Sequence, residues 1–133
     1  MQELFADAWF FIALSDRFDS HHRAAIRVKQ RVSQYQLVTH DAILHELLAF
    51  ASADGAFARQ RAVIVAREAI ASMRVITPDR SLLLRALDLY ASRPDKEYSL
   101  TDCMSMVVRE CDITQVLSND HHFRQEGFTL VNE

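Results

Sequence analysis

The stretch LFADAWFFIAL, residues 4–14, decides the fold. Residues 3–7 read as a short strand that passes directly into an apolar helix running through about Leu14, and Asp7 stands at the junction. A lone ionised carboxylate in such apolar surroundings costs several kcal/mol unless something compensates it. Two more acids share this predicament: Glu46 within AILHELLAFA (residues 42–51) and Asp102 within SLTDCMSMVV (residues 99–108). All three are expected to be largely buried. Either each has its own basic partner, or the three converge and share a cation.

Working outward, SDRFDS is a loop, and residues 20–35 form a second, polar helix with Ile26 and Val28 on its inner face. QLVT (36–39) reads as a strand. Residues 41–53 form a nearly all-apolar helix that Asp54-Gly55 breaks, and residues 57–72 make another before a strand at 74–77. Pro78 begins the next helix, with Leu83, Ala86, Leu87 and Tyr90 on one face, and it ends near Arg93-Pro94. After the loop SRPDKEYS, Ser99 or Thr101 caps a helix running to about Glu110. A strand at 113–117, a short helical turn at 121–125 and a strand at 128–131 complete the pattern. Strands separated by helices predict an α/β/α sandwich whose central, mostly parallel sheet has four to five strands.

At 133 residues, half of them hydrophobic and a quarter charged, residues 1–133 are expected to form a single domain with one substantial core. No apolar stretch approaches a membrane span, and MQELFAD lacks the marks of an export signal, so the expected compartment is the cytoplasm. Cys103 and Cys111 show no CxxC spacing and read as reduced core residues. The net charge of −3 is unevenly spread: bases outnumber acids nine to eight through residue 74, and acids lead ten to six thereafter. Arg17, Arg23, Arg27, Lys29 and Arg31 form one basic stretch, and Arg59, Arg61, Arg67 and Arg74 another. A basic rim beside an acidic centre suits a polyanion held at its phosphates, although each arginine taken singly reads as part of a solvated helix face.

In open α/β sheets ligands bind beyond the carboxyl ends of the strands, where strand order reverses. Asp7 ends the first strand, Asp120 lies just past the fourth, and Glu46 and Asp102 are read in the first turns of helices starting on that rim. If the first and fourth strands are neighbours, four carboxylates from distant parts of the chain meet in one cleft. Asp79 follows the third strand, expected at the sheet edge, and reads as a helix-start residue; Asp41 and Asp95 read as helix-start and loop residues. Crowded carboxylates repel and take up protons unless cations neutralise them. Mg²⁺ or Mn²⁺, which prefer oxygen ligands, are the natural solution, and they support phosphodiester hydrolysis without a catalytic serine, cysteine or histidine.

FADAWFFIAL, AILHELL, SLTDCMSM and LSNDHHF, taken in order, resemble the successive acidic motifs of PIN-domain ribonucleases over nearly the whole chain. The resemblance implies a PIN-like fold with Asp7, Glu46, Asp102 and Asp120 as the metal-binding, catalytic acids and Ser118 as an accessory hydroxyl. Many small members of this family are VapC-like toxins, which cleave RNA, form homodimers and are restrained by a cognate antitoxin; others process RNA. The chain departs from the pattern after its first acid, where Ala8 and Trp9 replace the customary Thr or Ser. That departure motivates an alternative, a non-catalytic domain binding RNA or protein. A phosphate-accepting signalling domain shares the layout but wants a lysine near the last strand, and the chain has none after Lys96.

Taken alone, a buried acid more often ends in a salt bridge or a helix-start hydrogen bond. His40, His45, His121 and His122 read as structural or solvent-facing, and Trp9, Phe10, Phe11, Met104 and Met106 as core. Phe57, Val63, Ile64 and Val65 offer apolar surface for a helix-pair dimer.

Overall fold

Leu4, Phe5 and Ala6 are fully buried on the central strand of a parallel sheet, the setting in which a strand is apolar on both faces. The computed structural model describes residues 2–131. Its strands are β1 (Glu3–Ala6), β2 (Gln36–His40), β3 (Arg74–Ile76), β4 (Gln115–Leu117) and β5 (Thr129–Val131), in the order β3-β2-β1-β4-β5. Every neighbouring pair is parallel; Phe5 stands level with Val38 on one side and with Val116 on the other.

The helices are α1 (Ala8–Ser15), α2 (His22–Arg31), α3 (Asp41–Ala51), α4 (Gly55–Ser72), α5 (Arg80–Ser92), α6 (Leu100–Met106) and α7 (His122–Gln125). α1 packs with α2, α3 and α4, while α5 packs with α6 and the 3-10 turn Val107–Cys111, so the helices separate into two groups flanking the sheet. The chain steps outward from β1 through β2 to β3 and then returns to β4 on the other side of β1. The carboxyl ends of β1 and β4 therefore bound the point where strand order reverses. The expected α/β/α sandwich is present, its sheet wholly parallel, and β3 lies at the edge with Asp79 capping α5 through a bond from Leu82 N–H at 2.8 Å.

Element ends differ from the sequence reading where helices tighten or strands shorten. The second helix stops at Arg31 and continues as the 3-10 turn Val32–Gln34; the helix after Ser99 passes into 3-10 geometry at Val107; and β4 and β5 begin at Gln115 and Thr129. Val28 is buried as expected, but Ile26 faces solvent, because the inner stripe runs through Ala25 and Val28 of α2 and on to Val32. In α5 the buried positions are Leu82 and Ala86, and Leu87 and Tyr90 point outward. Cys111 is exposed, whereas Cys103, Met104 and Met106 are core. Glu3, the charged residue that opens the central strand, pairs with Arg74 Nε of β3 at 2.8 Å. That pairing leaves Arg74 at the amino end of the sheet, away from the acids.

Candidate active site

Asp7 is carried to the end of β1 by the strand and held there by its own amide, which donates to Leu117 O at 3.1 Å and extends the β1–β4 pairing by one residue. It occupies the N-cap position of α1, yet its side chain does not cap the helix. Instead Asp7 Oδ2 accepts a hydrogen bond from the buried Ser118 hydroxyl at 2.8 Å. Burial pushes the Asp7 carboxyl from its ordinary 3.8 up to about 6. The bonds from Ser118 and from the Ala8 backbone oppose the rise, and the nearby Asp102 and Asp120 charges add to it.

Ser118 follows β4, and its hydroxyl oxygen also accepts from Asp120 N–H at 3.0 Å. The turn after the strand thereby locks Asp120 in place relative to Asp7. Asp120 Oδ1 accepts from His122 N–H at 2.9 Å and lies 3.1 Å from His122 Nδ1. The His122 ring stands edge-on to Tyr98 at 5.3 Å, and the Tyr98 hydroxyl lies within hydrogen-bond distance of Gln125 Oε1 and Glu126 Oε2, at 3.1 and 3.0 Å. Arg93 grips Glu126 with two nitrogens, at 3.1 and 3.0 Å, and holds its carboxyl below the usual range despite partial burial. The loop before α6 is thus tied to α7 behind the acids.

Asp102 sits in the first turn of α6 as half of a capping box: Asp102 Oδ2 accepts from Ser99 N–H at 2.9 Å, and Ser99 Oγ accepts from Asp102 N–H at 3.0 Å. Glu46 is one turn further into α3 than the sequence reading placed it. Its carboxyl is pushed to about 7 by burial first, then by the Asp7 and Asp102 charges, while a hydrogen bond from the Thr101 side chain opposes the rise. Of the three acids expected to be largely buried, Asp7 is buried, and Glu46 and Asp102 are half-buried. The apolar neighbours in their helices face the core, and Glu46 and Asp102 are turned to the surroundings they share with Asp7.

Asp7 feels Asp102 and Asp120, and Glu46 feels Asp7 and Asp102, so the four acids share one electrostatic field. Among the described residues, no three His, Cys, Asp or Glu side chains are gathered tightly enough to form a ready-made cage. The oxygen donors present suit a hard ion that keeps several waters and takes one or two carboxylates, as Mg²⁺ and Mn²⁺ do. Each aspartate is oriented through one oxygen by Ser118, Ser99 or His122, the outer-sphere support that metal-ligating carboxylates need.

Ser99, Thr101 and His122 all touch the acids, and sequence reasoning gave none of them that role. Ser99 and Thr101 were legible only as alternative helix caps, and Ser99 is the cap. His122 is structural, as expected, but through Asp120. Trp9 is only partly buried, with its ring 5.7 Å from His21. Its indole N–H has no partner among the described residues. Among the described residues no helix is long and apolar enough to cross a membrane.

The family model described as PIN domain matches residues 4–128. Among curated proteins none matches the chain closely enough to count as a relative. Solved structures do resemble it. The sarcin-ricin loop cleaving toxin VapC20 of Mycobacterium tuberculosis superposes with a TM-score of 0.87 at 23% identity, covering 98% of this chain and 99% of that one. DNA-bound VapBC of Salmonella typhimurium gives 0.68 at 16% identity, and VapBC-1 of nontypeable Haemophilus influenzae 0.67 at 13%; each pairing covers 98% of both chains.

Proposed function

The chain belongs to the PIN domain family, and from that premise we propose that it is a divalent-metal-dependent endoribonuclease, the toxin component of a type II toxin–antitoxin pair. One observation carries the proposal. Asp7 and Glu46 are pushed to about 6 and about 7 by burial and by neighbouring carboxylates that come from separate parts of the chain. Such repulsion is relieved by a shared cation.

In this reading Asp7, Glu46, Asp102 and Asp120 hold Mg²⁺ or Mn²⁺. When bound, the ion supplies charge neutralisation at a phosphodiester and activates water for its hydrolysis. Ser118 fixes the Asp7 carboxylate and the Asp120 backbone together, and Ser99 fixes Asp102, while the Thr101 side chain favours the ionised form of Glu46. Those residues hold the ligating oxygens in place, so little reorganisation is needed when an ion and a phosphate arrive.

The toxin assignment is supported by likeness to VapC20 and to the VapBC complexes, and it brings with it an RNA substrate, a cognate antitoxin and a cytoplasmic setting. A homodimer through α4 is supported by Phe57 and Ile64, which are 62% and 55% exposed. The test is Asp102→Asn: Mn²⁺-dependent RNA cleavage and growth arrest should both be lost with the circular dichroism spectrum unchanged, and full activity in this variant would refute the proposal. Ala8 beside Asp7 favours the second reading, a non-catalytic RNA- or protein-binding domain. Failure of millimolar Mn²⁺ to bind the unaltered protein would decide for it.

A further inference from the structure

β2 ends on His40, which takes the N-cap position of α3, a slot that favours a short polar side chain able to bond the free N–H groups of the first turn. His40 makes no such bond. Its ring turns into the interior, fully buried, 5.7 Å from the Phe5 ring centroid and with Nε2 3.0 Å from Ser105 Oγ. Ser105 is also fully buried, and its hydroxyl donates to the Thr101 carbonyl at 3.1 Å. A serine hydroxyl has a single proton. With that proton committed to Thr101 O, the hydrogen bond between His40 and Ser105 requires Nε2–H to be the donor. The neutral ring therefore carries its proton on Nε2 and leaves Nδ1 bare. The other side of the ring agrees: Nδ1 is buried with no partner among the described residues, which a lone pair tolerates better than an N–H does. Burial also holds the imidazole neutral, its pKa lowered to about 4.

These bonds join two helices that otherwise pack only sparsely against each other. α3 carries Glu46 and α6 carries Asp102. His40 reaches from the start of α3 to Ser105, and the Thr101 side chain reaches from α6 back to Glu46. Both meet at Thr101, whose carbonyl takes the Ser105 proton and whose side chain favours the ionised form of Glu46. We infer that His40 is a positioning residue of the acidic site: by donating to Ser105 it sets the rotation and depth of the first turns of α6, so that Thr101 and Asp102 meet Glu46. The consequence for metal and RNA rests on the proposed function; the geometry of α6 does not.

The test uses His40→Leu, His40→Gln and Ser105→Ala in the full chain. The glutamine amide nitrogen lies as many bonds from Cα as the imidazole Nε2 and also donates, so His40→Gln is the conservative variant. In the unaltered protein without metal, ¹⁵N spectra should show His40 protonated at Nε2 and bare at Nδ1; the opposite tautomer would overturn the inference. Amide exchange at Asp102 and Cys103 should accelerate selectively in His40→Leu and Ser105→Ala, and return toward the unaltered rate in His40→Gln. Mn²⁺ affinity measured by calorimetry without RNA should fall about 10-fold in the first two and recover in the third. In turnover, kcat should fall with KM little changed. Protection lost evenly across the whole fold, with no selective change in α6, would make His40 a core residue and nothing more. If the unaltered protein binds no Mn²⁺, the proposed function fails, and the tautomer and exchange results still decide the role of His40.

Discussion

Replacing Asp7 by asparagine should make the metal-free protein more stable while removing its proposed activity. The folded Asp7 carboxyl titrates at about 6 against an ordinary 3.8, a gap of about 2 units, each worth about 1.4 kcal/mol. The sign follows from which form the fold disfavours. A raised carboxyl pKa means that the folded state resists ionisation, so stability is lost as pH rises from about 4 through 6 and stays lost above that. Near pH 8 the ionised Asp7 therefore costs the fold roughly 3 kcal/mol. Asparagine carries no charge, and its Oδ1 still accepts from Ser118, so most of that penalty disappears. For a chain of this size the gain corresponds to roughly 10 °C in Tm. The assay is thermal unfolding followed by circular dichroism in a chelator, at pH 8 and at pH 4. Asp7→Asn should melt well above the unaltered protein at pH 8 and close to it at pH 4. An equal or lower Tm at pH 8, or the same gain at both values, would refute the account of Asp7 as a strained site acid. Excess Mn²⁺ should narrow the gap by stabilising only the unaltered protein, by about 2.7 kcal/mol at 100 times its Kd.

Ser118→Ala removes the donor to Asp7 and leaves Asp120 N–H unmatched. Stability in chelator should drop by about 1.5–3 kcal/mol, and the Asp7 titration followed by NMR should move further upward. Ser99→Ala dissolves the capping box around Asp102 and should cost about 1 kcal/mol in urea unfolding, with Mn²⁺ affinity reduced as well. Tyr98→Phe keeps the ring against His122 but loses the hydroxyl shared by Gln125 and Glu126. It should destabilise by about 1 kcal/mol, seen as faster amide exchange in α7.

The apolar runs at Leu4–Ala6 and at Leu37–Val38, separated by helical segments, were enough to call a parallel sheet with helices on both faces. Local periodicity also exposed Asp7, Glu46 and Asp102 as acids out of place, and Asp79 as a cap. Val28 and Ala86 are inward as expected, whereas Ile26, Leu87 and Tyr90 face outward. A one-residue rotation of a helix alters no local propensity, and the choice is made by whichever stripe the sheet and neighbouring helices cover.

Four acids in a line of sequence say nothing about distance. That Asp7 and Asp120 are neighbours follows from β4 pairing with β1, a choice among strand orders that no segment makes alone. Much of the support for the acids was hidden for the same reason. Ser118 was named only through the resemblance, and Ser99, Thr101 and His122 are ordinary polar residues until the fold brings an acid close. His40 looks like a poor helix cap until its ring is seen bonded to Ser105, sixty-five residues away. Sequence by itself determined which elements form and which side chains are too costly to bury without a purpose, because burial and periodicity act locally along the chain. Only the tertiary structure decided what those side chains share, because electrostatic coupling and hydrogen bonds depend on separations of a few ångströms that chain order does not contain.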